Sequence, residues 1–380
     1  MTDVYFATNR DDLGNGKFGD RFNAEGPHFY KVGRATVTWR GPIPEPEKRD
    51  WTYWDDYSVS TETAAETPPE TLPVTGTPEC HVKTVKGAKL GSTGIFTEIR
   101  RKMVSQARDS LVYIHGFAND FDNSMARAAQ LSEVYKISPG GNQRPYSPDV
   151  FAFSWPSNGK VEPPWEYASD RDDAAMSGLA MARAIRRLAD FLEKKGRCNG
   201  RLHLVAHSMG NWALRHAVLG LVALYEGKTL PKFFDNVFLM AADEDEDCLG
   251  LADKLGRLPE MCRRINVYHS SGDQALEVSD KTKFNMDRLG TDGPKTFSGL
   301  STRIVAIDCS AVDKTKLTHG NHQYYRLRPE VIADVRQVLS ARTPPDQIPG
   351  REVIVPGRQY RIPAPGGQNG EEEPADSLGE

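Results

Sequence analysis

Short runs of consecutive hydrophobic residues recur through the middle of the chain, at SLVYIHG, DVFAFSW, LHLVAHS, NVFLMAA, INVYHSS and RIVAIDC. Runs of this length without polar alternation suit strands that are buried on both faces of a sheet. Between two of the runs, Met181, Ile185, Leu188 and Leu192 recur at helical spacing. Strands that alternate with helices predict an α/β fold with a mostly parallel central sheet and helices on both faces.

The composition divides the 380 residues into three parts. Residues 1–90 hold short β-like pieces and a middle rich in Pro, Glu and Thr, which cannot form a continuous helix or a central strand. We predict an irregular N-terminal extension with edge strands and a long exposed loop over 1–90, and one catalytic α/β domain over 91–342. Residues 343–380 are rich in Pro, Gly and Glu, which predicts a flexible, disordered tail.

Charge and hydropathy narrow the function classes. The formal net charge is −4 and Lys and Arg form no dense run, which argues against a nucleic-acid partner. No apolar run approaches the roughly 20 residues of a membrane span. The five cysteines are scattered and form neither a CxxC pair nor a disulfide framework. We therefore expect a soluble cytoplasmic protein, and the sequence leaves its oligomeric state open.

The segment RLHLVAHSMGNWALRHAVLG, residues 201–220, runs from a strand through a serine directly into a helix. This is the context of a nucleophile elbow, in which Ser208 occupies a tight turn between two small residues, here Ala206 and Gly210. The start of the helix would favour a developing oxyanion. Serine is also an ordinary helix N-cap, so the motif alone leaves both interpretations open.

The order of the surrounding motifs favours the catalytic interpretation. Upstream, the strand SLVYI ends in His-Gly and a loop, so the N–H groups of Phe117 and Met209 are candidate oxyanion donors. Downstream, an acid and a base are expected in the order Ser, Asp, His. Asp273 follows a strand and is the first candidate for the acid, with Asp243 as the alternative.

Two histidines follow the last strand, His319 and His322, and either one could reach back over the serine as a general base. Two other histidines near the turn are not expected to act as the general base. We expect His115 to orient its loop, and we expect His207 to shape the pocket, because its side chain should point away from the nucleophile.

These motifs resemble the α/β-hydrolase superfamily, and in particular a bacterial branch of hydrolases of unknown function. The resemblance rests on VYIHGF, FAFSWPSNG, LVAHSMGN, VYHSSGDQAL and NHQYY, which span about residues 110–326, and on YFATNR at 5–10. It implies an α/β-hydrolase fold and, through NHQYY, favours His322 over His319 as the base.

The loop WPSNGKVEPPWEYASDRDD, residues 155–173, follows a strand on the same side as the serine. Trp155, Trp165 and Tyr167 would line an acyl or alcohol pocket there, or would simply pack the loop down. No insertion is long enough for a large helical lid, which favours small or medium esters.

The remaining acidic and histidine motifs do not form a metal site by their spacing. The acids of MAADEDEDCLG begin like a calcium loop, but Cys248 and Lys254 stand where glycine and glutamate are needed. HGNH lacks a third ligand.

Together the motifs predict a serine hydrolase that cleaves carboxylic esters through an acyl-enzyme, with Ser208, His322 and Asp273 as its triad. We expect no metal and no cofactor, and a small-molecule ester as the binding partner. Amide or thioester hydrolysis and a non-catalytic α/β-hydrolase scaffold are the alternatives.

Overall fold

The computed structural model describes residues 1–40, 57–61, 65–66, 91–139, 144–161, 165–194, 200–276, 287–312 and 321–364. The strands in these ranges are β1 (Thr2–Thr8), β2 (Arg10–Gly14), β3 (Lys17–Phe22), β4 (Lys31–Trp39), β5 (Tyr57–Thr61), β6 (Ala65–Glu66), β7 (Ser110–Ile114), β8 (Asp149–Ser154), β9 (Leu202–His207), β10 (Phe234–Met240), β11 (Cys262–His269), β12 (Ile304–Asp308), β13 (Glu352–Val355) and β14 (Gln359–Arg361). The helices are α1 (Gly91–Ser105), α2 (Phe121–Val134), α3 (Trp165–Met176), α4 (Gly178–Lys194), α5 (Gly210–Leu224), α6 (Leu289–Asp292), α7 (Tyr324–Leu327) and α8 (Pro329–Ser340). Among these described helices, none combines the length and the hydropathy that a membrane crossing requires.

Twelve of the described strands form one sheet, in the order β13-β14-β12-β11-β10-β9-β7-β8-β1-β4-β5, with β6 paired to β4. From β14 to β1 all neighbours are parallel, and the strands outside them pair antiparallel. The predicted α/β fold with a mostly parallel sheet is therefore confirmed.

Both faces of the sheet are covered by helices. Strands β7, β9 and β10 are buried along their whole length, as their uninterrupted hydrophobic runs predict. One core lies between the sheet and helices α1, α4 and α5, and contains Met181, Ile185 and Leu188 of the helical repeat. A second core lies under α2 and α8. Each buried side chain of this size contributes about 1.5–3 kcal/mol of transfer free energy, so the two cores hold the layers together.

The order of β8, β7 and β9 creates a switch point in the sheet. From β7 the chain passes through α2 to β8 on one side, and then through α3 and α4 to β9 on the other. Helices α2 and α5 consequently pack on opposite faces of the sheet. The loops that follow β7 and β9 therefore diverge around a crevice at the carboxyl edge, which is where ligands bind in open α/β sheets.

The N-terminal pieces VYFAT and ATVTW lie in strands of the same sheet. β1 pairs in parallel with β8, and β4 pairs antiparallel with β1. Because β1 lies between β8 and β4, it is an interior strand rather than an edge strand. β5 pairs with the far side of β4. Most of the Pro-, Glu- and Thr-rich middle of this region lies outside the described residues.

The C-terminal region differs from the prediction of a flexible tail beginning at residue 343. Strand β14 extends the sheet beside β12, and β13 pairs with β14 as a hairpin. The hairpin is held by side chains that composition does not reveal: Tyr360 is buried, and Arg351 forms an ion pair with Asp334 of α8. The tail prediction was therefore wrong for residues 345–362, and residues 365–380 lie outside the described ranges.

The Arg351–Asp334 ion pair gives a test of this hairpin. Nη2 of Arg351 lies 2.8 Å from Oδ1 of Asp334, and the side chains are 1% and 4% exposed. Removing one partner of a buried pair leaves the other charge uncompensated, so Arg351→Met should lower the free energy of unfolding by about 3–5 kcal/mol. Chemical denaturation measures this loss.

The matched control is Lys228→Met, which removes an exposed pair with Glu226 and should leave stability nearly unchanged, because solvent screens the two charges. Equal effects of the two substitutions would contradict the structural role of the hairpin.

Candidate active site

The turn between β9 and α5 holds Ser208 in a strained conformation. Its φ is 53°, in the left-handed region that residues with a side chain rarely adopt. One backbone bond and one side chain close the turn: the N–H of Ser208 donates to the carbonyl of Met240 (3.0 Å), and the side-chain amide of Asn211 donates through Nδ2 to the carbonyls of Ala206 (3.2 Å) and Ser208 (3.0 Å). These bonds hold the strained residue at the carboxyl edge of the sheet.

Two glycines allow the loop after β7 to approach this turn. A Cβ on Gly210 would lie 2.6 Å from the carbonyl oxygens of Ile114 and His115. A Cβ on Gly116 would lie 2.8 Å from Cβ of Ser208. Real Cβ atoms do not come this close to their neighbours. The packing of the two loops therefore requires glycine at positions 116 and 210.

His322 and Asp273 form a hydrogen-bonded pair. Nδ1 of His322 lies 2.7 Å from Oδ2 of Asp273, and Asp273 is fully buried. The other carboxylate oxygen of Asp273 accepts the N–H groups of Ala275 and Leu276, at 3.2 Å each. Because Nδ1 donates its proton to the bond with the carboxylate, the lone pair of the neutral imidazole is on Nε2. His319 lies outside the described residues.

His207, the residue before the serine, connects the turn to the histidine segment. Its Nε2 donates to the backbone carbonyl of His322 at 3.1 Å, and the two rings lie 4.7 Å apart. Its other face stacks on Tyr325. Burial, followed by the neighbouring His322, holds the pKa of His207 well below its ordinary value, so the ring is neutral. The sequence indicated a pocket-shaping role for His207, but it contained no signal for this bond.

The two candidate oxyanion donors belong to the segments that follow β9 and β7. Met209 is the N-cap residue of α5, with φ −58°, and its side chain is buried. Phe117 follows Gly116 in the loop after β7, and its ring packs edge-on against Tyr167 at 5.5 Å. The next residue, Ala118, has φ 55°, which turns the loop sharply. The first N–H groups of a helix have no partner within the helix, so Met209 stands where an anion is favoured.

Comparison with known proteins assigns this architecture. Residues 93–342 match the model of a family described as alpha/beta hydrolase of unknown function (DUF900). The chain belongs to this family. It is also 28% identical over 174 residues to an uncharacterized protein of the cyanobacterium Nostoc, a match that covers 39% of this chain and 43% of the relative. The match therefore spans less than half of that relative.

Arg10, close after β1, ties this hydrolase scaffold to the loop that carries Phe117. It is fully buried, and its guanidinium donates to the carbonyls of Asn119 (2.8 Å) and Ser157 (2.9 Å) and to the hydroxyl of Ser154 (2.9 Å). The loop is thus held in place by the side chain of Arg10, which lies outside the segment that the family model matches. The segment YFATNR indicated only a family resemblance. Hydrogen bonds from Arg10 to distant carbonyls leave no pattern in the sequence that could have predicted them.

A second network fixes the same loop from the side. The N–H of Ala118 donates to Oδ2 of Asp170 at 3.3 Å, and the N–H of Asn119 donates to Oγ of Ser157 at 3.0 Å. The hydroxyl of Ser157 in turn donates to Asp170. Sequence reasoning did not identify Asp170, which lies in α3 in the middle of a polar helix.

The three aromatic candidates have different surroundings. Trp155 is fully buried and stacks on His115 at 4.8 Å, which favours the alternative that it packs the loop down rather than lining a pocket. Trp165 is 70% exposed at the start of α3. Tyr167 is half-buried against Phe117, and its hydroxyl donates to Asp243.

His115 is a neutral structural residue, in agreement with the sequence analysis. Its Nδ1 donates to the carbonyl of Gly116, and its Nε2 accepts the N–H of Trp155. Burial, followed by the charge of Arg10, lowers the pKa of His115 to about 3. Because both nitrogens are engaged, the ring holds the loops together.

The acidic segment after β10 is neutralised by cations. Asp243 lies 3.7 Å from Arg171 and 3.7 Å from Arg288, while Asp245 bonds to Lys254 at 2.9 Å. Within the described residues, no three His, Cys, Asp or Glu side chains are grouped so that they could hold a metal ion. Asp243 therefore belongs to a charge network, whereas Asp273 is the acid bonded to His322.

Gly210→Ala tests the packing of the turn. The added methyl group would press on two backbone carbonyls that cannot rotate away, so the free energy of unfolding should fall by about 1–3 kcal/mol. Thermal and urea denaturation measure the change.

The control is Gly94→Ala in α1, where a Cβ meets nothing within 4 Å. Alanine is the better helix former, so this change should be neutral or stabilise by up to about 1 kcal/mol. A Gly210→Ala protein as stable as the wild type would contradict the close approach of the two loops.

Proposed function

We propose that this chain is a serine hydrolase that cleaves carboxylic esters through an acyl-enzyme intermediate. The proposed triad is Ser208 as nucleophile, His322 as general base and Asp273 as the acid that orients the base. The proposed oxyanion donors are the N–H groups of Phe117 and Met209. Tyr167, which packs against Phe117, is a candidate for the wall of the acyl pocket.

The observation that carries the proposal is the bond between His322 and Asp273 beside the serine turn. Forty-nine positions separate the two residues, yet Nδ1 and Oδ2 lie 2.7 Å apart. The bond fixes the tautomer in which Nε2 carries a lone pair, as a general base requires. The bond from His207 to the carbonyl of His322 links this pair to the residue next to the nucleophile.

The proposed reaction starts with attack of the Ser208 hydroxyl oxygen on the ester carbon, while Nε2 of His322 takes the hydroxyl proton. The carboxylate of Asp273 stabilises the imidazolium that forms. Collapse of the tetrahedral intermediate breaks the bond to the alkoxy group, which receives the proton from His322. Water, deprotonated by the same imidazole, then attacks the acyl carbon, and collapse of the second tetrahedral intermediate breaks the bond to the Ser208 oxygen. This oxygen takes the proton back from His322, and the carboxylic acid is released.

The negative charge that develops on the carbonyl oxygen would be held between the start of α5 and the loop after β7. Each such donor is worth about 10²–10³ in rate in hydrolases of this kind. The bonds of Arg10 and Asp170 to this loop favour a donor that is already oriented before substrate binds, which lowers the reorganisation free energy.

A non-catalytic scaffold is the main alternative, and the strain at Ser208 argues against it. A residue with a side chain at φ 53° costs on the order of 1–3 kcal/mol, and strain of this kind is concentrated at functional sites. Amide and thioester hydrolysis would use the same groups. Ester hydrolysis is preferred over amide hydrolysis because an alkoxide leaves more readily than an amine, and thioester hydrolysis stays an alternative.

Ser208→Ala should reduce hydrolysis of p-nitrophenyl acetate and butyrate by about 10³-fold or more, because the nucleophile is absent. Circular dichroism would establish that the variant is folded. Ser298→Ala, at an exposed serine distant from the turn in the chain, is the matched control and should keep full activity.

A fluorophosphonate should label wild-type Ser208, as mapped by peptide mass spectrometry, and should leave the Ser208→Ala protein unlabelled. Equal ester turnover by wild type and Ser208→Ala would refute the nucleophile. A folded wild type that neither turns over esters nor is labelled would favour the scaffold alternative.

Asp273→Asn should lower kcat by about 10⁴-fold, because the amide no longer favours the tautomer with a free Nε2 and does not stabilise the imidazolium. Asp243→Asn should have a much smaller effect on kcat, since Asp243 pairs with arginines. Steady-state kinetics on both folded variants measures the difference. The reverse order of effects would transfer the orienting role to Asp243.

A further inference from the structure

A cavity lined by arginines lies at the edge of the sheet opposite to Ser208. It has a volume of about 480 Å³ and opens beside the amino ends of β11 and β12. Four guanidinium groups line it, from Arg263, Arg264, Arg303 and Arg358. Its remaining wall is largely apolar, with Val305 and two prolines, and includes no carboxylate. The proposed catalytic groups are at the carboxyl ends of the strands and take no part in it.

Three of these arginines carry a charge that no carboxylate in the described part of the chain neutralises. Arg263 lies 3.2 Å from Asp235. Within the described residues, Arg264, Arg303 and Arg358 have no carboxylate oxygen within 4 Å, and their partners are backbone carbonyls instead, of Thr343, Pro259 and Ser301. Carbonyl bonds hold the guanidinium groups in position without removing their charge.

Arg264 is the most informative member of the group, because it is 7% exposed. Its Nη1 is buried and, among the residues that the structure describes, has no hydrogen-bond partner. Burial, followed by the charges of Arg263 and Arg351, lowers the pKa of Arg264 to about 10, which reflects the cost of keeping this cation there. Buried charges in proteins are ordinarily paired, so this site is electrostatically incomplete without an anion.

We propose that this cavity binds the phosphoryl group of a small phosphorylated molecule. Guanidinium groups bind phosphate oxygens through paired, charge-assisted hydrogen bonds, and several fixed cations favour a dianion over a singly charged carboxylate. A volume of about 480 Å³ falls within the range of small-molecule sites, so an organic group could lie against Val305 and the prolines.

The proposal does not rest on the proposed esterase activity. The arginine cavity lies at the amino ends of β11 and β12 and the serine turn at the carboxyl end of β9, on opposite edges of the same sheet, so a ligand here would be neither substrate nor product of Ser208. Arg358 donates to the carbonyl of Ser301, which precedes β12. Arg264 donates to the carbonyl of Thr343, which precedes β13. An anion bound between them would therefore stabilise the junction of the C-terminal hairpin with the sheet.

The experiment titrates the full-length wild type with inorganic phosphate and with phenyl phosphate, by calorimetry and by thermal denaturation. Sodium chloride at equal ionic strength and sodium benzoate are the reference anions. Both phosphates should bind saturably and raise Tm, whereas chloride and benzoate should not. Titrations with phosphate that cannot be distinguished from those with chloride would overturn the proposal.

Arg303→Gln and Arg358→Gln should each weaken phosphate binding about tenfold or more, because each removes one cation from the cavity. The matched control is Arg361→Gln, which removes an arginine of β14 that pairs with Asp308 outside the cavity. Equal weakening in Arg361→Gln would mean a general charge effect and would contradict the site. Should the two cavity variants fail to fold, the wild-type titration with its reference anions still decides.

Ser208→Ala separates this site from the proposed active site. Phosphate affinity should be unchanged in that variant, and phosphate should not compete with p-nitrophenyl acetate in the wild type. Loss of phosphate binding in Ser208→Ala, or competitive inhibition at the concentration that saturates the titration, would place the anion at the serine and overturn the proposal. A wild type without esterase activity would leave the phosphate titration as a valid test.

Discussion

The candidate site depends on the close approach of two loops at the switch point of the sheet. Because β7 and β9 are adjacent while their following helices pack on opposite faces, the two loops begin side by side at the carboxyl edge and diverge only beyond it. Gly116 and Gly210 remove the atoms that would otherwise collide there. The strain at Ser208 is held by the surrounding bonds, so the chain conformation at the serine is imposed by its neighbours rather than preferred locally.

Buried polar groups organise the loops around this contact. Arg10 and Asp170 fix the loop after β7 through its backbone, and neutral His115 fixes the next loop through Trp155. In a medium of low dielectric such bonds are strong, but they are costly when incomplete. A substitution of Arg10 in β2 or of Asp170 in α3, far along the chain from the serine, would therefore alter the geometry around Ser208.

The two charged regions outside the serine turn differ in whether their charges are paired. The acids after β10 are numerous but matched by Arg171, Arg288 and Lys254, so they form a closed network. Three of the four arginines of the cavity pair with no carboxylate within the described residues, and the cavity stands out because the protein as a whole is acidic. Cations that are spread over positions 263–358 in the chain form one surface only after β11, β12 and β14 have come together.

The sequence by itself determined the layered α/β fold, because hydrophobic periodicity reports which faces of a strand or helix are buried. It also indicated Ser208, Asp273 and His322 as candidates, because residues that follow parallel strands share one edge. It failed where a role depends on contacts between distant segments. The burial of Trp155, the folded hairpin after residue 345, the carbonyl bonds of Arg10 and the bond from His207 to His322 were decided by tertiary structure alone. Side-chain hydrogen bonds and ion pairs join single atoms across the fold, and they leave no periodic pattern in the chain from which they could be predicted.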